Sequence, residues 1–331
     1  MWQTGPEDGP IRSRLGHDGG VINVADVLQP ELTEVNRLPA RPPLTPYPDV
    51  DSARDGVGTP WRRSLDGAWR FRLVPSPSAA PARWMHPTTS DERWRTIDVP
   101  GCWTRQDTGD LPHYTNIVMP WPDTDAPFTP PENPTGLHRT TFSVPRAWRN
   151  RDVIVHLGGA ESVAIVWCNG TFVGMGKDSR LPSEFDLTPH LVSGPNLLAV
   201  MVIRYSDATW IEDQDHWWHA GLHRSVHLEA RGRTRIDDLH VGADFDAATG
   251  TGRLSVRAHV HGSTGAESIR TWLETPAGAR VGPVLDAEVA DRGRGSQFEE
   301  VLTAVTHPGP VASASADLVK IRPWTAKTRN R

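Results

Sequence analysis

Two polar stretches of the chain combine the residue types that could bind a sugar. Residues 174–188 include Asp178, Arg180 and Glu184, and residues 211–218 read Ile-Glu-Asp-Gln-Asp-His-Trp-Trp. Carboxylates, amides and guanidinium groups hydrogen-bond hydroxyl groups, and tryptophan offers a flat apolar face with one N–H donor. Both stretches lie between runs that are typical of strands. They are candidate loops for gripping a carbohydrate, and Arg180 and Glu184 are predicted to form an ion pair that fixes the first loop.

The acidic run at Glu212, Asp213 and Asp215 raises the question of catalysis. A retaining glycosidase needs two carboxyl groups about 5–5.5 Å apart, one as nucleophile and one as acid and base. No carboxyl group in this sequence can be assigned either role. An isolated acidic loop on a small sandwich is more typical of a solvated or salt-bridged turn. We therefore disfavour a catalytic role for Glu212, Asp213 and Asp215.

Three histidines have a spacing that suggests a metal site. His216, His219 and His223 would lie on one face of a helix and could bind zinc. The pair Trp217-Trp218 and Gly221 disfavour a helix at this place. No zinc site is therefore expected.

The composition limits the classes of function. The chain has 331 residues, of which 37% are hydrophobic, and this suggests about two domains. A net charge of −5 and a pI near 6.3, without a dense basic stripe, argue against a nucleic-acid partner. No apolar run approaches the ~20 residues that span a bilayer, and no signal peptide is visible, so we expect a cytoplasmic protein with no membrane partner. Cys102 and Cys168 lack metal-ligand spacing and are predicted to be buried small hydrophobes.

The pattern along the chain predicts two β-sandwiches behind a long N-terminal segment. Residues 1–22 are Gly-rich and polar, which predicts a disordered leader. Residues 23–60 are dense in proline, which predicts an extended arm without regular structure. Short alternating runs predict one sandwich over residues 61–231. After a break near Arg231-Gly232-Arg233, similar runs predict a second sandwich over residues 232–331.

Alternation of apolar and polar residues identifies the strands. Trp69, Phe71 and Leu73 alternate with arginines, as in a half-buried strand. Asn169-Gly170 predicts a type I′ hairpin turn. Asn169-Gly170-Thr171 also matches the N-glycosylation pattern, an interpretation that we disfavour because nothing suggests secretion. The other predicted strands are Thr96–Val99, Gly136–Val144, Arg151–Leu157, Ala164–Cys168, Thr171–Met175, Asn196–Tyr205, Arg224–Ala230, Arg235–Phe245, Arg253–His261, Ser268–Glu274, Phe298–Ala304 and Ser313–Ile321.

A series of motifs runs in the same order as in a known enzyme family. In chain order they are Asn36-Arg37-Leu38 with Pro42-Pro43, Ser64-Leu65-Asp66-Gly67-Ala68-Trp69-Arg70-Phe71, Val99-Pro100-Gly101-Cys102-Trp103, Tyr114-Thr115-Asn116-Ile117, Pro131-Glu132-Asn133-Pro134-Thr135-Gly136, Trp167-Cys168-Asn169-Gly170, Asp178-Ser179-Arg180-Leu181-Pro182-Ser183-Glu184-Phe185-Asp186-Leu187, Tyr205-Ser206-Asp207, Glu212-Asp213-Gln214-Asp215 and Gly221-Leu222-His223-Arg224. This ordered set resembles the front half of bacterial β-galactosidases of glycoside hydrolase family 2.

The resemblance covers about Val35 to about Trp324 and implies an all-β fold. A jelly-roll, galactose-binding-like sandwich would occupy residues 61–231. An immunoglobulin-like sandwich would occupy residues 232–331 and stop before its last strands. Pro323-Trp324-Thr325-Ala326 resembles the start of a family signature, after which the match ends. The resemblance therefore implies that the family's catalytic (β/α)₈ barrel, with both catalytic glutamates, is absent from these residues.

The resemblance also implies two substrate-binding residues. Asn116 matches a position that reaches into the galactose pocket, and the match from Tyr114 to Asn116 favours this role over the alternative, an Asx turn. Asp207 matches an aspartate that contacts the galactose hydroxymethyl group and a sodium ion, and a strand-terminating turn is the alternative. Sodium and magnesium are implied as cofactors of the complete enzyme, with none expected in this chain alone. Trp210, Trp217 and Trp218 would line the sugar cleft or pack onto the barrel.

The resulting functional hypothesis is that the chain is the non-catalytic N-terminal portion of a retaining β-galactosidase. It would contribute galactose-subsite residues for the hydrolysis of terminal β-D-galactose and be inactive alone. The alternatives are a free-standing carbohydrate-binding module and the small chain of a split β-galactosidase. The partners expected are a β-galactoside and either a barrel chain or further copies of the chain.

Overall fold

The computed structural model describes residues 24–56, 58–116, 118–262, 268–274, 279–288, 296–306 and 319–324. They form two compact units, one containing residues 24–40 and 46–231, the other residues 41–45 and the described residues from 232 onward. Apart from residues 41–45, the boundary between the two units falls between Arg231 and Gly232. The predicted leader lies outside the described residues. No helix within the described ranges is long and apolar enough to cross a membrane.

The first unit is almost entirely β-structure. Its helices and strands are α1 (Val24–Val27), β1 (Glu34–Val35), α2 (Val50–Asp55), β2 (Arg62–Ser64), β3 (Gly67–Val74), β4 (Arg95–Val99), β5 (Gly101–Cys102), β6 (His113–Tyr114), β7 (Thr135–Ser143), β8 (Asp152–Leu157), β9 (Val163–Cys168), β10 (Thr171–Lys177), β11 (Ser183–Asp186), β12 (Pro195–Ile203), β13 (Trp217–Trp218), β14 (Gly221–Leu222) and β15 (Val226–Arg231). Short 3₁₀ turns lie at Pro77–Ala79, Trp103–Arg105, Arg146–Trp148, Thr188–His190 and Asp207–Trp210.

These strands form a sandwich of two antiparallel sheets. The larger sheet has the order β1-β10-β9-β12-β7-β3-β4, and the smaller has the order β11-β8-β15-β2. The pairs β6–β13 and β5–β14 form two short additional ladders. The predicted all-β class is therefore confirmed, and the predicted strands of this unit appear with boundaries shifted by a few residues.

The central strands of the larger sheet are buried on both faces. In β9 the side chains of Ala164, Val166 and Cys168 join the core between the sheets. The alternate side chains of Val163 and Ile165 join a second core on the other face. Successive side chains of a strand point to opposite faces, so a continuous apolar run is what a doubly covered strand requires.

The N-terminal arm contains regular structure, contrary to the prediction. It forms α1, α2 and the two-residue strand β1, which pairs with β10. Its prolines flank these elements instead of interrupting them. In α2 the Asp49 side chain accepts a hydrogen bond from the Ser52 N–H at 2.8 Å, and Gly56 ends the helix with φ of 62°. Val27 and Leu32 of the arm are buried in the second core.

The hairpin predicted at Asn169-Gly170 is confirmed between β9 and β10. Both residues have positive φ, 53° and 86°, as a type I′ turn requires. The Asn169 side-chain amide donates to the His190 carbonyl and to Asn196 Oδ1, at 2.9 and 2.8 Å, and its oxygen accepts from the Leu197 N–H. A side chain bonded on both sides is a structural part of the turn, which agrees with the interpretation preferred over glycosylation.

The second unit contains β16 (Arg235–Asp246), β17 (Thr251–His261), β18 (Ser268–Glu274), β19 (Arg280–Glu288), β20 (Ser296–Thr306) and β21 (Val319–Trp324). They form two three-stranded antiparallel sheets, β16-β17-β20 and β19-β18-β21. Ala258, Val260 and Ile269 are buried in its described core. Strand β19 was not among the predicted strands. Its sequence interrupts alternation with Gly282 and Pro283.

Candidate carbohydrate-contacting site

A long loop, residues 107–134, is fixed at both ends to the end of β12. At its start, the buried Arg204 forms an ion pair with Asp110 and donates to the Leu111 carbonyl at 3.0 Å. At its other end, Asn133 exchanges two hydrogen bonds with the backbone of Tyr205, each 2.9 Å long. An ion pair and a paired backbone contact therefore hold this loop at the C-terminal end of β12, the central strand of the larger sheet.

Trp103 strengthens the first anchor. Its indole Nε1 donates to Asp110 Oδ2 at 2.7 Å. The ring is fully buried and packs against Gly136, where an added Cβ would lie 2.7 Å from Trp103 Cζ3. Glycine is therefore required there by close approach, because any side chain would displace the indole that holds Asp110.

Aromatic side chains hold the middle of the loop. The Trp121 ring lies 4.7 Å from that of Tyr205, 5.6 Å from that of Trp210 and 5.9 Å from that of Trp218. Trp210 Nε1 donates to the Phe128 carbonyl at 2.9 Å. Edge-to-face aromatic contacts of this kind contribute about 0.5–1.5 kcal/mol beyond area burial. Trp210 and the buried Trp218 are therefore packing residues in this structure.

The short ladder between β6 and β13 joins the loop to the second polar stretch. Tyr114 lies opposite Trp217, with ring centroids 5.6 Å apart, and His113 lies opposite Trp218. The Tyr114 hydroxyl donates to Asp215 Oδ1 at 2.5 Å. This hydrogen bond raises the pKa of Tyr114. Trp217 is 56% exposed and leaves an aromatic face open to solvent.

The two predicted galactose contacts lie on this framework. Asn116 is exposed and follows Tyr114 by two residues. Asp207 is half-buried and begins the 3₁₀ turn after β12, where Ser206 and Thr209 form a reciprocal capping box. No hydrogen bond joins Asn116 to Asp207 in the described structure, so the substrate role of each residue stays a prediction.

Asp207 forms an ion pair with the side chain of Lys177. Lys177 Nζ lies 2.6 Å from Asp207 Oδ1 and donates to the Gln29 carbonyl at 2.7 Å. The Lys177 side chain is 3% exposed and that of Asp207 is 18% exposed. The two oxygens that would suit a hard cation are therefore already bonded to an ammonium group, and this donor set does not fit an additional sodium ion.

The predicted pair Arg180–Glu184 is wrong. Glu184 lies on β11 opposite His156 and bonds Arg231 at 2.6 Å. The loop is fixed instead by Asp178, whose Oδ1 accepts from the N–H groups of Arg180 and Leu181 at 2.8 Å each. Strand pairing turned Glu184 toward β8 and β15, which sequence separation alone does not indicate.

Arg180 belongs to a polar cluster around Glu161. It lies 3.6 Å from Glu161 Oε2 and donates to His216 Nε2 at 2.7 Å. Burial raises the pKa of Glu161 to about 7, although Arg180 and His216 oppose that rise. Glu212 in the same cluster accepts from the Ser179 backbone N–H at 3.0 Å. The cavity between these groups has a volume of about 10 Å³, which is about the space for one water molecule, so no sugar fits there.

The histidines do not form a metal site. His216 bonds Arg180, His219 lies 3.1 Å from Thr104 Oγ1, and His223 packs against Gly159. Among the described residues, no group of three or more His, Cys, Asp and Glu side chains is placed to hold a metal ion. The segment contains the short strands β13 and β14 and no helix.

Both cysteines are free thiols, and burial raises their pKa values, to about 11 for Cys102 and about 12 for Cys168. The prediction of a buried residue is confirmed for Cys168, whereas Cys102 is only partly buried.

The sequence interpretation missed three residues that organise the site. Arg204 and Asp110 hold the long loop, and Lys177 holds Asp207. For the first pair, no local pattern could predict an ion pair spanning 94 positions. For Lys177 a signal existed, since it is one of only three lysines in the sequence.

Residues 62–231 match the family described as "Glycosyl hydrolases family 2, sugar binding domain". The chain therefore belongs to glycosyl hydrolase family 2, a family of glycoside hydrolases, and the resemblance seen in its motifs is confirmed. The β-galactosidase of Psychromonas ingrahamii is 39% identical over 236 residues, and that of Vibrio vulnificus strain YJ016 is 40% identical over 237. Each alignment covers 71% of this chain and 23% of the relative, so the chain spans about a quarter of the length of these curated relatives.

Solved structures support the fold. The β-glucuronidase of Bacteroides uniformis has a TM-score of 0.58 at 19% identity and covers 74% of this chain and 28% of that protein. The β-glucuronidase of Bifidobacterium dentium has a TM-score of 0.54 at 19% identity and covers 76% and 43%. At such identities the likeness shows a shared fold alone.

Proposed function

We propose that this chain is the non-catalytic front part of a β-galactosidase that contributes Asn116 and Asp207 to the subsite for a terminal galactose. Hydrolysis in the complete protein would be a double displacement by two glutamates on a barrel outside these residues. The β-galactosidases that are 39–40% identical to this chain support the choice of galactoside. Their greater length supports a catalytic part elsewhere in the complete protein.

One observation carries this proposal, namely the fixation of the long loop on the end of β12. The Arg204–Asp110 ion pair and the Asn133–Tyr205 bonds tie the loop that bears Asn116 to the strand that leads into Asp207. Sugar subsites need an amide or a carboxylate held on a rigid element, because recognition of hydroxyl groups depends on hydrogen-bond geometry.

Exposed apolar side chains favour a chain that works within a larger assembly. Around the long loop and the second polar stretch, Leu111 is 74% exposed, Ile211 81% and Phe128 65%. Apolar side chains concentrated in one region mark surfaces that other protein covers. This favours packing on a catalytic barrel, in the same polypeptide or in the separate chain of a split enzyme, over a free-standing carbohydrate-binding module.

Binding of galactose to the uniformly ¹⁵N-labelled chain tests the proposal. We expect galactose to shift the signals of Asn116 and Asp207 with millimolar affinity, because only part of the pocket is present, and glucose to shift them less. Asn116→Ala and Asp207→Asn should each weaken binding about tenfold, the loss of one hydrogen bond to a charged or rigid partner. Asp123→Asn is the matched control, since Asp123 is exposed on the same loop.

Two results would contradict the proposal. The assigned subsite would be wrong if galactose left the Asn116 and Asp207 signals of the wild-type chain unchanged. It would also be wrong if the wild-type chain bound galactose no more tightly than Asn116→Ala and Asp207→Asn. Turnover of a chromogenic β-galactoside by the purified chain would show a catalytic pair within these residues. The expected turnover is none.

A further inference from the structure

The ammonium group of Lys177 lies between two oxygens of the kind that bind hard cations. Lys177 ends β10, and its Nζ lies between two oxygens, the Gln29 carbonyl at 2.7 Å and Asp207 Oδ1 at 2.6 Å. The backbone N–H of Lys177 also donates to the Thr33 carbonyl at 2.9 Å. The N-terminal arm therefore bonds both the side chain and the backbone of Lys177.

The choice of lysine at this position is unusual for the chain. Its 35 basic residues include only three lysines, Lys177, Lys320 and Lys327. Every other basic position before residue 320 is an arginine. A lysine ammonium is a compact point charge, whereas guanidinium is a wide planar fork. The ammonium group fits between the Gln29 and Asp207 oxygens, because it is a compact cation that lies within 2.7 Å of both.

The ion pair leaves Asp207 with one oxygen for a ligand. Oδ1 is bonded to Lys177, and the carboxylate is still 18% exposed, so Oδ2 is the atom available to a hydroxyl group. A carboxylate oxygen accepts hydroxyl hydrogen bonds in a fixed direction only if the carboxylate cannot rotate. The bond to Lys177 prevents that rotation and supplies a counter-charge.

We propose that Lys177 is a positioning residue that takes the place of an alkali-metal ion at Asp207, so that this subsite works without sodium. That Lys177 positions Asp207 for galactose rests on the function proposed above. That Lys177 replaces a metal ion is independent of that function, because the two oxygens are already bonded to Nζ. A merely structural ion pair would leave galactose affinity unchanged when Lys177 is replaced by a residue that preserves the fold.

The first test uses the full chain without sugar. With only three lysines, the side-chain ¹⁵N spectrum contains three ammonium groups. We expect that of Lys177 to exchange slowly with water and to shift in Asp207→Asn, with Lys320→Met as the variant that assigns a control signal. Replacement of choline chloride by sodium chloride at constant ionic strength should shift neither this signal nor the Asp207 amide. A saturable, sodium-specific shift at Asp207 in the wild-type chain would overturn the proposal, and so would a Lys177 signal that ignores Asp207→Asn.

The second test measures galactose affinity in the two salts. The dissociation constant of the wild-type chain should agree within about 1.5-fold between sodium and choline, and Lys177→Met should weaken binding about tenfold in choline, the equivalent of one charged hydrogen bond. Lys320→Met should bind like the wild type. Wild-type binding at least threefold tighter in sodium, or unaltered binding by a folded Lys177→Met chain, would overturn the proposal. If the wild type binds no galactose in either salt, the proposed function fails, while the first test still decides the role of Lys177.

Discussion

Two buried ion-pair sites of the first unit differ in how much of their carboxylate surface is exposed. On the outer face of the smaller sheet, Arg231 bonds Glu184 at 2.6 Å and Glu229 at 2.9 Å, and all three side chains are less than 10% exposed. At the end of the larger sheet, Lys177 bonds Asp207, whose side chain keeps 18% of its surface exposed. The first site pairs its buried carboxylates with protein cations, and the second leaves part of a carboxylate exposed.

The difference indicates that a buried ion pair can either stabilise a sheet or hold a carboxylate in place for a ligand. Burial alone would raise the pKa of Glu229, but the nearby His227 and the hydrogen-bonded guanidinium groups of Arg231 and Arg62 lower it below the ordinary value. Such a carboxylate is held permanently ionised within the sheet and contacts no ligand. A carboxylate with a single internal partner, like Asp207, is fixed and yet has bonding capacity left.

The largest effect should come from breaking the closed site. Arg231→Met should lower the free energy of unfolding by about 3–5 kcal/mol, because it removes the buried guanidinium group that Glu184 and Glu229 share. Urea unfolding and hydrogen exchange at the β15 amides measure this loss.

Arg62→Met is the matched control, since Arg62 bonds the same Glu229 at 2.9 Å but is 40% exposed. Its cost should stay below about 1 kcal/mol. Equal losses in the two arginine variants would show that burial does not distinguish these ion pairs.

Glu161 should make stability depend on pH. Its pKa of about 7 in the folded chain lies above the ordinary value of 4.5, so the folded state binds an additional proton between those pH values. Stability due to this group is full below pH 4.5 and falls as the pH rises through 7. Glu161→Gln should therefore be more stable than the wild type at pH 8 by about 2–3 kcal/mol and equal to it near pH 4.

The histidines act with the opposite sign and cancel in this comparison. Burial lowers the pKa of His138 and of His223 to about 4 each. Their contribution is present above pH 6.5 and is lost as the pH falls toward 4, in both chains. A difference between wild type and Glu161→Gln that is constant from pH 4 to 8 would refute the assignment.

A smaller effect on stability than that of Arg231→Met should come from the open site. Lys177→Met should cost about 1–2 kcal/mol, because Asp207 can then turn its charge toward water. Urea unfolding of this variant, of Lys320→Met and of Arg231→Met on one scale ranks the two sites. A Lys177→Met chain as unstable as Arg231→Met would remove the distinction between a closed and an open site.

The sequence predicted the sandwich because its signals are local. Alternation located strands such as β7 and β8, and Asn169-Gly170 located the hairpin, since a type I′ turn demands residues that tolerate positive φ. The prediction failed for the arm, where prolines were taken to exclude regular structure. Proline excludes it only within an element, and the arm places β1 and α2 between its prolines.

Side-chain partners were predicted less well, for a physical reason. The loop appeared to need the pair Arg180–Glu184, but strand register sends Glu184 to Arg231, 47 positions away. The Arg204–Asp110 and Lys177–Asp207 pairs likewise depend on tertiary structure. A sequence pattern shows which residues could bond a carboxylate but not which one the fold brings within 3 Å. The positions of Asn116 and Asp207 were proposed from motif resemblance and stay predictions.

A crystal structure of the chain soaked with galactose would show whether the end of the larger sheet holds this sugar. We expect a galactose within hydrogen-bond distance of Asp207 Oδ2 and the Asn116 side chain, with Lys177 Nζ still bonded to Oδ1. Galactose bound at another surface, or a sodium ion between Gln29 and Asp207 in place of the ammonium group, would contradict it.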